Sequence, residues 1–459
     1  MPARFDDTIA AISTAPGEAG VSIIRVSGPH SLGIADAVFL CSGPKPSARP
    51  SHVILHGNVA DGSGVIDEAL LLIMRAPHSY TREDVIEIQG HGGNVAARRI
   101  LRCMLDAGAR PAEPGEFSKR AFLNGRIDLL QAEAVLDLVQ AKSERAAAAA
   151  VEQLEGSLSR KLAEIYERLV AVAADLEASL DFPEDELPLA GLDDVARRLT
   201  VGRDEVNRLI ETWDEGYLLR EGALVVISGR PNVGKSTLLN ALIGRPRAIV
   251  SHMPGTTRDT IEEGLILGGI SLRIVDTAGL RDTECEVEKE GIRRTREQME
   301  KATLHLYVVD ASQPLTDDDR RHIAEFKADH CVVVLNKTDL GVVVHAGGLP
   351  GNIAGVETSL TQGNGLEDLR DAMTTTLSRG FNTASPPHAV ISERHRQLLV
   401  ASRDEIEEAL GMLRSGKDDV VVLAAERLRS GLELIGQVTG RVYHDELLSS
   451  IFSRFCIGK

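Results

Sequence analysis

The stretch Gly229-Arg-Pro-Asn-Val-Gly234-Lys235-Ser236-Thr237, directly after the apolar run Ala223 to Ile227, constrains this chain more than any other feature. It fits G-x-x-x-x-G-K-[ST], a pattern in which a buried strand turns through glycines into a helix. The glycines let backbone N–H groups turn inward, and the helix adds the positive end of its dipole, so the loop is built to hold phosphate. Lys235 neutralises β- and γ-phosphate charge and Ser236 reaches Mg²⁺, while Asn232, Val233, Gly234 and Thr237 complete the loop.

Three further elements follow in order. Gly255-Thr-Thr-Arg-Asp259 is a polar loop in which a threonine hydroxyl can complete Mg²⁺ coordination and sense the γ-phosphate. Asp276-Thr277-Ala278-Gly279 comes right after the apolar run Leu272 to Val275, which places a carboxylate near the metal and a flexible glycine near the γ-phosphate. Asn336-Lys337-Thr-Asp339 follows Val332 to Leu335, and the Asp339 carboxylate can accept from both N1 and N2 of guanine. Adenine lacks that donor pair, so GTP is favoured and a generic ATPase is not.

Two parts of a hydrolysis site are missing from this set. Leu280 stands just after the Asp-x-x-Gly glycine and cannot hydrogen-bond a water. The acidic stretch Glu284-Cys-Glu-Val-Glu288-Lys-Glu290 can bring a carboxylate toward the phosphate, or can simply be a solvated loop. No motif fixes an arginine finger, so a monovalent cation is an alternative source of positive charge, with Asn232 offering an oxygen ligand.

At 459 residues and roughly 150 residues per domain, about three domains are expected. Short apolar runs, Gly20 to Val26, Val53 to Leu55 and Ala69 to Met74, read as strands around a helix from Asn94 to Ala107, giving a small α+β domain over residues 1–124. Leu154, Leu158, Leu162, Ile165, Leu169, Val172 and Leu176 recur at helical spacing and predict one long helix within 125–221. Asp181-Phe-Pro-Glu-Asp-Glu186 is expected to end it, with a metal site there as the minor reading. Strand-like and helical runs alternate over 222–379, as in a doubly wound α/β domain. Helical periodicity returns over 380–459, with Leu398, Leu399, Ile406, Leu410 and Leu413 on buried stripes. The fold class is therefore multidomain α/β, in which a nucleotide domain is inserted into a discontinuous helical domain.

A formal charge of −17 gives no global field for polyanions, so any RNA contact needs a local patch or a partner. The five cysteines, Cys41, Cys103, Cys285, Cys331 and Cys456, show no zinc spacing and suit reduced thiols in a cytoplasm. No apolar run approaches the ~18 residues that span a bilayer, and no export signal opens the chain.

The ordered motifs resemble the translation-factor-related P-loop GTPases, among them the Era and Der families, with Ser359-Leu360 similar to their last guanine-contacting turn. Asp7-Thr-Ile-Ala-Ala, Arg25-Val-Ser-Gly28, Glu87-Ile-Gln-Gly-His-Gly-Gly93, Pro114-Gly-Glu-Phe-Ser118 and the ending Phe455-Cys-Ile-Gly-Lys459 narrow this. Together they resemble the MnmE (TrmE) family of tRNA-modification GTPases over essentially the whole chain. An Era- or Der-like ribosome-assembly GTPase, the alternative, predicts a KH-type or second GTPase domain. Neither is present in the sequence.

The resemblance implies a homodimer, a partnership with the FAD-dependent MnmG, and modification of wobble uridine in tRNA with a 5-formyl- or 5,10-methylene-tetrahydrofolate. It implies Mg²⁺ at Ser236 and Thr257, with Asp276 nearby. K⁺ is placed at Asn232 and in a loop that includes Ile249, Val250, Ser251, Pro254 and Thr256. Glu288 would orient the attacking water and Arg258 would steady the loop. For folate it implies Arg25, Glu87, Arg126 and Lys459, with Cys456 near the active centre. Arg126 stands where the family often has lysine, and Arg82 where its Tyr-Thr-Gly-Glu-Asp run has glycine. His91-Gly92-Gly93 reads as a tight turn, since no G-x-S-x-G elbow exists to use it as an oxyanion loop.

Overall fold

The structure, a computed structural model, describes residues 6–181, 189–244, 264–276, 302–349, 353–379, 390–415 and 420–459. They gather into two compact units, one formed by Met1–Leu136, Gln153–Asn207 and Gln397–Lys459, the other by Asp137–Glu152 and Arg208–Arg396.

The first unit holds a seven-stranded sheet of β1 (Ile9–Ile12), β2 (Val21–Ser27), β3 (Phe39–Cys41), β4 (Val53–Asp61), β5 (Gly64–Met74), β6 (Val85–His91) and β7 (Arg110–Pro111), ordered β3-β4-β5-β6-β2-β1-β7. Side chains alternate between the sheet's faces. One face carries Ile24, Val26, Leu71, Ile73, Ile86 and Ile88, all buried beneath helices Ser31–Val38 and Asn94–Asp106. Each of these aliphatic side chains contributes about 1.5–3 kcal/mol by leaving water. The same alternation puts Arg25 and Glu87 on the opposite face. They are register partners on neighbouring strands, so their side chains meet. Helix Glu116–Leu123 covers this second face and buries Phe117 with Ile9 and Ala11.

The expected long helix is interrupted. Leu154 ends the helix Glu144–Leu154, and a new helix runs Ser157–Asp181. Gly156, at φ +83°, takes the left-handed conformation that closes a helix, and the Leu154 carbonyl accepts from Gln131 Nε2 at 2.8 Å instead of from a next turn. Leucine periodicity crossed this break unnoticed because the phase is nearly preserved. From Leu158 to Leu176 the stripe is buried, and Ser157–Asp181 packs against Val420–Thr439. Phe182 to Glu186 lie outside the described residues.

The second unit holds β8 (Ala223–Ser228), β9 (Gly264–Leu267), β10 (Ile270–Asp276), β11 (Leu304–Asp310), β12 (Cys331–Asn336) and β13 (Ala354–Glu357), ordered β13-β12-β11-β8-β10-β9. Only β9 is antiparallel to its neighbour. Every residue of β8, β11 and β12 is buried, as expected of central parallel strands covered on both faces. Because these strands are parallel, β8, β10 and β12 all end on one edge of the sheet, where doubly wound folds bind ligands.

Among the described residues no helix is long and apolar enough to cross a membrane, and no group of three or more ligating side chains is gathered to hold a metal ion.

Candidate functional site

The loop after β8 has the backbone its phosphate role requires. Asn232 sits at φ +61° and Gly234 at φ +107°, and helix Lys235–Ile243 starts immediately after. A Cβ on Gly234 would lie 2.3 Å from Asn336 Nδ2, so both the torsion and the space demand glycine. The buried Lys235 donates from Nζ to the carbonyls of Gly229 at 3.0 Å and Arg230 at 2.7 Å, folding its ammonium over the loop. Ser236 and Thr237 are exposed at the helix start, as is Asn232 in the loop, while Val233 is buried. Asp276 ends β10 with its backbone in register with Ile227, which brings that strand end beside the P-loop.

The residues expected to read the base join the same site. Asn336 Nδ2 donates to the Val233 carbonyl at 2.9 Å, tying the loop after β12 to the P-loop across 103 residues of sequence. Its Oδ1 accepts from the Leu360 amide at 3.2 Å. Where the usual alanine after Ser359 is replaced by Leu360, the contact to Asn336 is made by the backbone amide and so does not depend on the side chain. Ser359 Oγ donates to Asp339 Oδ1 at 2.6 Å and fixes the exposed carboxylate. Lys337, at φ +67°, turns its Nζ back onto Asp310 Oδ2 at 2.7 Å. The sequence reading missed Asp310. Its signal was a carboxylate closing the strand Leu304–Asp310, whose other polar side chains are His305 and Tyr307.

Ile249, Val250, Ser251, Pro254, Thr256, Thr257, Arg258, Thr277, Ala278, Gly279, Leu280, Cys285 and Glu288 lie outside the described residues, as does the side chain of Asp276.

In the first unit, Arg25, Glu87 and Arg126 line one cavity of about 560 Å³, with Tyr80, His52 and His78 on its wall. Arg25 Nε donates to Glu87 Oε1 at 2.7 Å, and both side chains are largely buried. The Arg25 guanidinium lies 5.3 Å and that of Arg126 4.8 Å from the centre of the Tyr80 ring, which each polarises through the ring's negative face. The Tyr80 hydroxyl is held by Ser118 Oγ at 2.8 Å. Arg82 adopts φ +60°, the left-handed torsion that the family's glycine would take, and donates from Nη1 to the Asn124 carbonyl at 3.0 Å.

The C-terminal segment returns to this wall. Arg25 Nη1 points to the Gly458 carbonyl at 3.5 Å, Ser13 Oγ donates to the same oxygen at 3.2 Å, and the Lys459 carbonyl accepts from the Phe117 amide at 3.2 Å. Gly458 is at φ +97°, and a Cβ there would lie 2.5 Å from the Ile12 carbonyl. The Lys459 main chain is thus anchored beside the cavity, and Cys456 is an exposed free thiol.

Several of the N-terminal motif residues hold this region together. Arg120 is fully buried and donates to Asp7 Oδ1 at 2.8 Å, Glu116 Oε1 at 2.9 Å and Glu83 Oε1 at 3.1 Å, one acid from each of three separate segments. Arg110 adds bonds to Asp7 at 2.6 Å and Glu116 at 2.5 Å. Burial pushes the Glu116 carboxyl up, but bonds from Arg110, the Glu113 amide and Arg120 outweigh it and hold the group below its ordinary range.

A family model described as the MnmE helical domain matches residues 129–456, and one described as the GTP-binding protein TrmE N-terminus matches residues 8–126. A tRNA modification GTPase MnmE from Geobacter metallireducens is 45% identical over 461 residues, covering 99% of this chain and 100% of the relative. One from Moorella thermoacetica is 45% identical over 469 residues, covering 99% of this chain and 100% of the relative. Among solved structures, the G domain of the T. maritima FeoB iron transporter aligns with 34% of this chain and 98% of its own at 26% identity, with a TM-score of 0.26 that adds no weight. Full-length identity at this level, with both ends of the chain matched by family models, leaves one conclusion: the chain belongs to the MnmE family of tRNA modification GTPases and is a GTP-hydrolysing enzyme.

Proposed function

We propose that this protein is a K⁺-dependent GTPase that works as a homodimer with MnmG to build the aminomethyl-type group at C5 of the tRNA wobble uridine, drawing its one-carbon unit from a tetrahydrofolate. The observation that carries the nucleotide half is the Asn336 bond to the Val233 carbonyl, which unites phosphate loop and base-reading loop in one site. In this reading Asn232, Val233, Gly234, Lys235, Ser236 and Thr237 hold the phosphates, and Asn336, Lys337, Asp339, Ser359 and Leu360 hold guanine. Thr257, Asp276, Thr277, Ala278 and Gly279 complete the γ-phosphate end.

Mg²⁺ would be held by Ser236 and Thr257, and K⁺ by Asn232 with the segment from Ile249 to Thr256. A hydroxyl and an amide oxygen are hard donors suited to such ions. Bound there, the cations supply positive charge against the γ-phosphate, the part otherwise played by an arginine finger. Glu288 orients the attacking water in place of the absent glutamine. For the folate, two guanidiniums, a carboxylate and an aromatic face around about 560 Å³ suit a flat heterocycle with an acidic tail. Arg25 and Glu87 would bind it together with Arg126 and Lys459, and Cys456 stands close by. Residues 1–124 are read as the folate and dimer domain, 125–221 and 380–459 as the helical domain, and 222–379 as the GTPase domain. A cytoplasmic setting follows from the tRNA substrate.

The test is single-turnover GTP hydrolysis in matched K⁺ and Na⁺ buffers, with Glu288→Ala and Asn232→Ala alongside. K⁺ should accelerate the wild type at least ~tenfold, and both variants should lose that gain. A rate indifferent to the cation, with Glu288→Ala fully active, would overturn the assignment.

A further inference from the structure

We propose that Asp310, a residue outside the nucleotide motifs, is a positioning residue for base recognition: it anchors Lys337 and thereby holds Asp339 in the orientation that reads guanine. This rests on the assignment of Asp339 to the base.

Asp310 ends β11, a strand with every residue buried, and its own side chain is only 8% exposed. A carboxylate in that position is costly unless fully bonded. It is bonded on both oxygens. Oδ1 accepts from the Ser312 amide at 3.0 Å and the Ser312 hydroxyl at 2.6 Å, and Oδ2 accepts from Lys337 Nζ at 2.7 Å. Burial pushes the carboxyl up, but Lys337 and Ser312 hold it below its ordinary range, so it is ionised at neutral pH.

The geometry makes this more than a satisfied ion pair. Asp310 is the register partner of Asn336, and the Ala311 amide donates to the Asn336 carbonyl at 2.7 Å, so the two strand ends are locked side by side. The next residue, Lys337, is held at φ +67°, a torsion that non-glycine residues avoid without compensation. Three of the four residues from Asn336 to Asp339 then diverge: Asn336 goes to the P-loop, Lys337 goes back to Asp310, and Asp339 goes to Ser359. The turn that separates Asn336 from Asp339 contains the strained lysine, and among the described residues the carboxylate bonded to that lysine is that of Asp310. Releasing it lets Lys337 relax, and the Asp339 carboxylate swings with the turn.

The experiment compares GTP and ITP affinity for the full-length protein by competition with a fluorescent GDP. Inosine keeps N1–H but lacks the N2 amine, so the GTP/ITP ratio reports how well Asp339 is aimed. Asp310→Asn should weaken GTP ~tenfold and ITP much less, with kcat at saturating GTP nearly unchanged, since the affected contact is a charge-assisted one remote from the reacting phosphate. In a Lys337→Met background the same substitution should add nothing further, because the two act through one contact. Ser312→Ala, which removes only the hydroxyl bond, gives a milder version should Asp310→Asn fold poorly, and should lower the ratio in the same direction. Equal losses for GTP and ITP, an unchanged ratio, or additive effects with Lys337→Met would overturn the proposal. Asp339→Asn is the control for the underlying assignment: its amide should favour XTP, whose C2 carbonyl accepts a hydrogen bond. If it does not, the base assignment itself fails. If it does while Asp310→Asn leaves the ratio intact, only the present inference fails.

Discussion

The nucleotide site stands at the end of its sheet and the N-terminal cavity on a face of another, and the two are built by opposite means. The nucleotide site is largely a backbone object. Its phosphate loop is one contiguous stretch whose torsions at Asn232 and Gly234 are set locally, and the side chains of Asn336 and Asp319 reach it from other segments, Asn336 at the Val233 carbonyl and Asp319 at Arg230. The cavity is a side-chain object. Arg25 meets Glu87 because strand register makes them neighbours, Tyr80 arrives from a loop, and Gly458 comes from the far end of the chain. Beneath it, Arg120 gathers acids from three segments. A local backbone site tolerates changes elsewhere, whereas a site assembled from distant charges depends on every segment being in place.

The sharpest way to break this contrast is Arg120→Met. Removing the buried guanidinium takes a cation from Asp7, Glu83 and Glu116, leaving Arg110 to hold Asp7 and Glu116, and breaking such a buried pair typically costs ~3–5 kcal/mol. Urea denaturation should show the transition of the first unit shifted by about that amount while nucleotide affinity is kept. A loss below ~1 kcal/mol would mean the network is not what holds the region. Next in size, Gly234→Ala should cut GDP affinity ~100-fold through its torsion and the clash with Asn336, with little change in overall stability. A large stability loss instead would show that the loop is not the self-contained element described. Smallest, Arg25→Ala should weaken binding of 5-formyl-tetrahydrofolate ~tenfold, as expected for one charge-assisted contact, and leave GTP affinity unchanged. If folate binding is unaffected, the cavity does not serve the proposed ligand.

Legibility followed the same divide. The strands carrying the nucleotide loops were readable because buried parallel strands are near-continuous apolar runs, and β8, β10 and β12 lie where those runs predicted. The break between Leu154 and Ser157 was not, because a leucine stripe records which face is buried and says little about whether the backbone is continuous; the glycine and its cap decide that. Arg82 was readable only as a departure from a family glycine, and its positive torsion explains why glycine suits the place. Asp310 gave no motif at all, since its meaning depends on which strand lies beside it.

By itself the sequence determined the phosphate loop, the preference for guanine, the α/β character of the nucleotide domain and the family, because each is encoded in residues close together in the chain or in motifs in fixed order. The tertiary structure alone decided that Arg25, Glu87 and Tyr80 line one cavity with the Gly458 carbonyl against Arg25, that Arg120 is the buried hub of the N-terminal acids, and that Asp310 anchors Lys337. The physical reason is range: backbone torsions and apolar periodicity are local and leave a pattern in sequence, while hydrogen bonds and ion pairs between distant segments exist only once strand register and helix packing have brought their partners within reach.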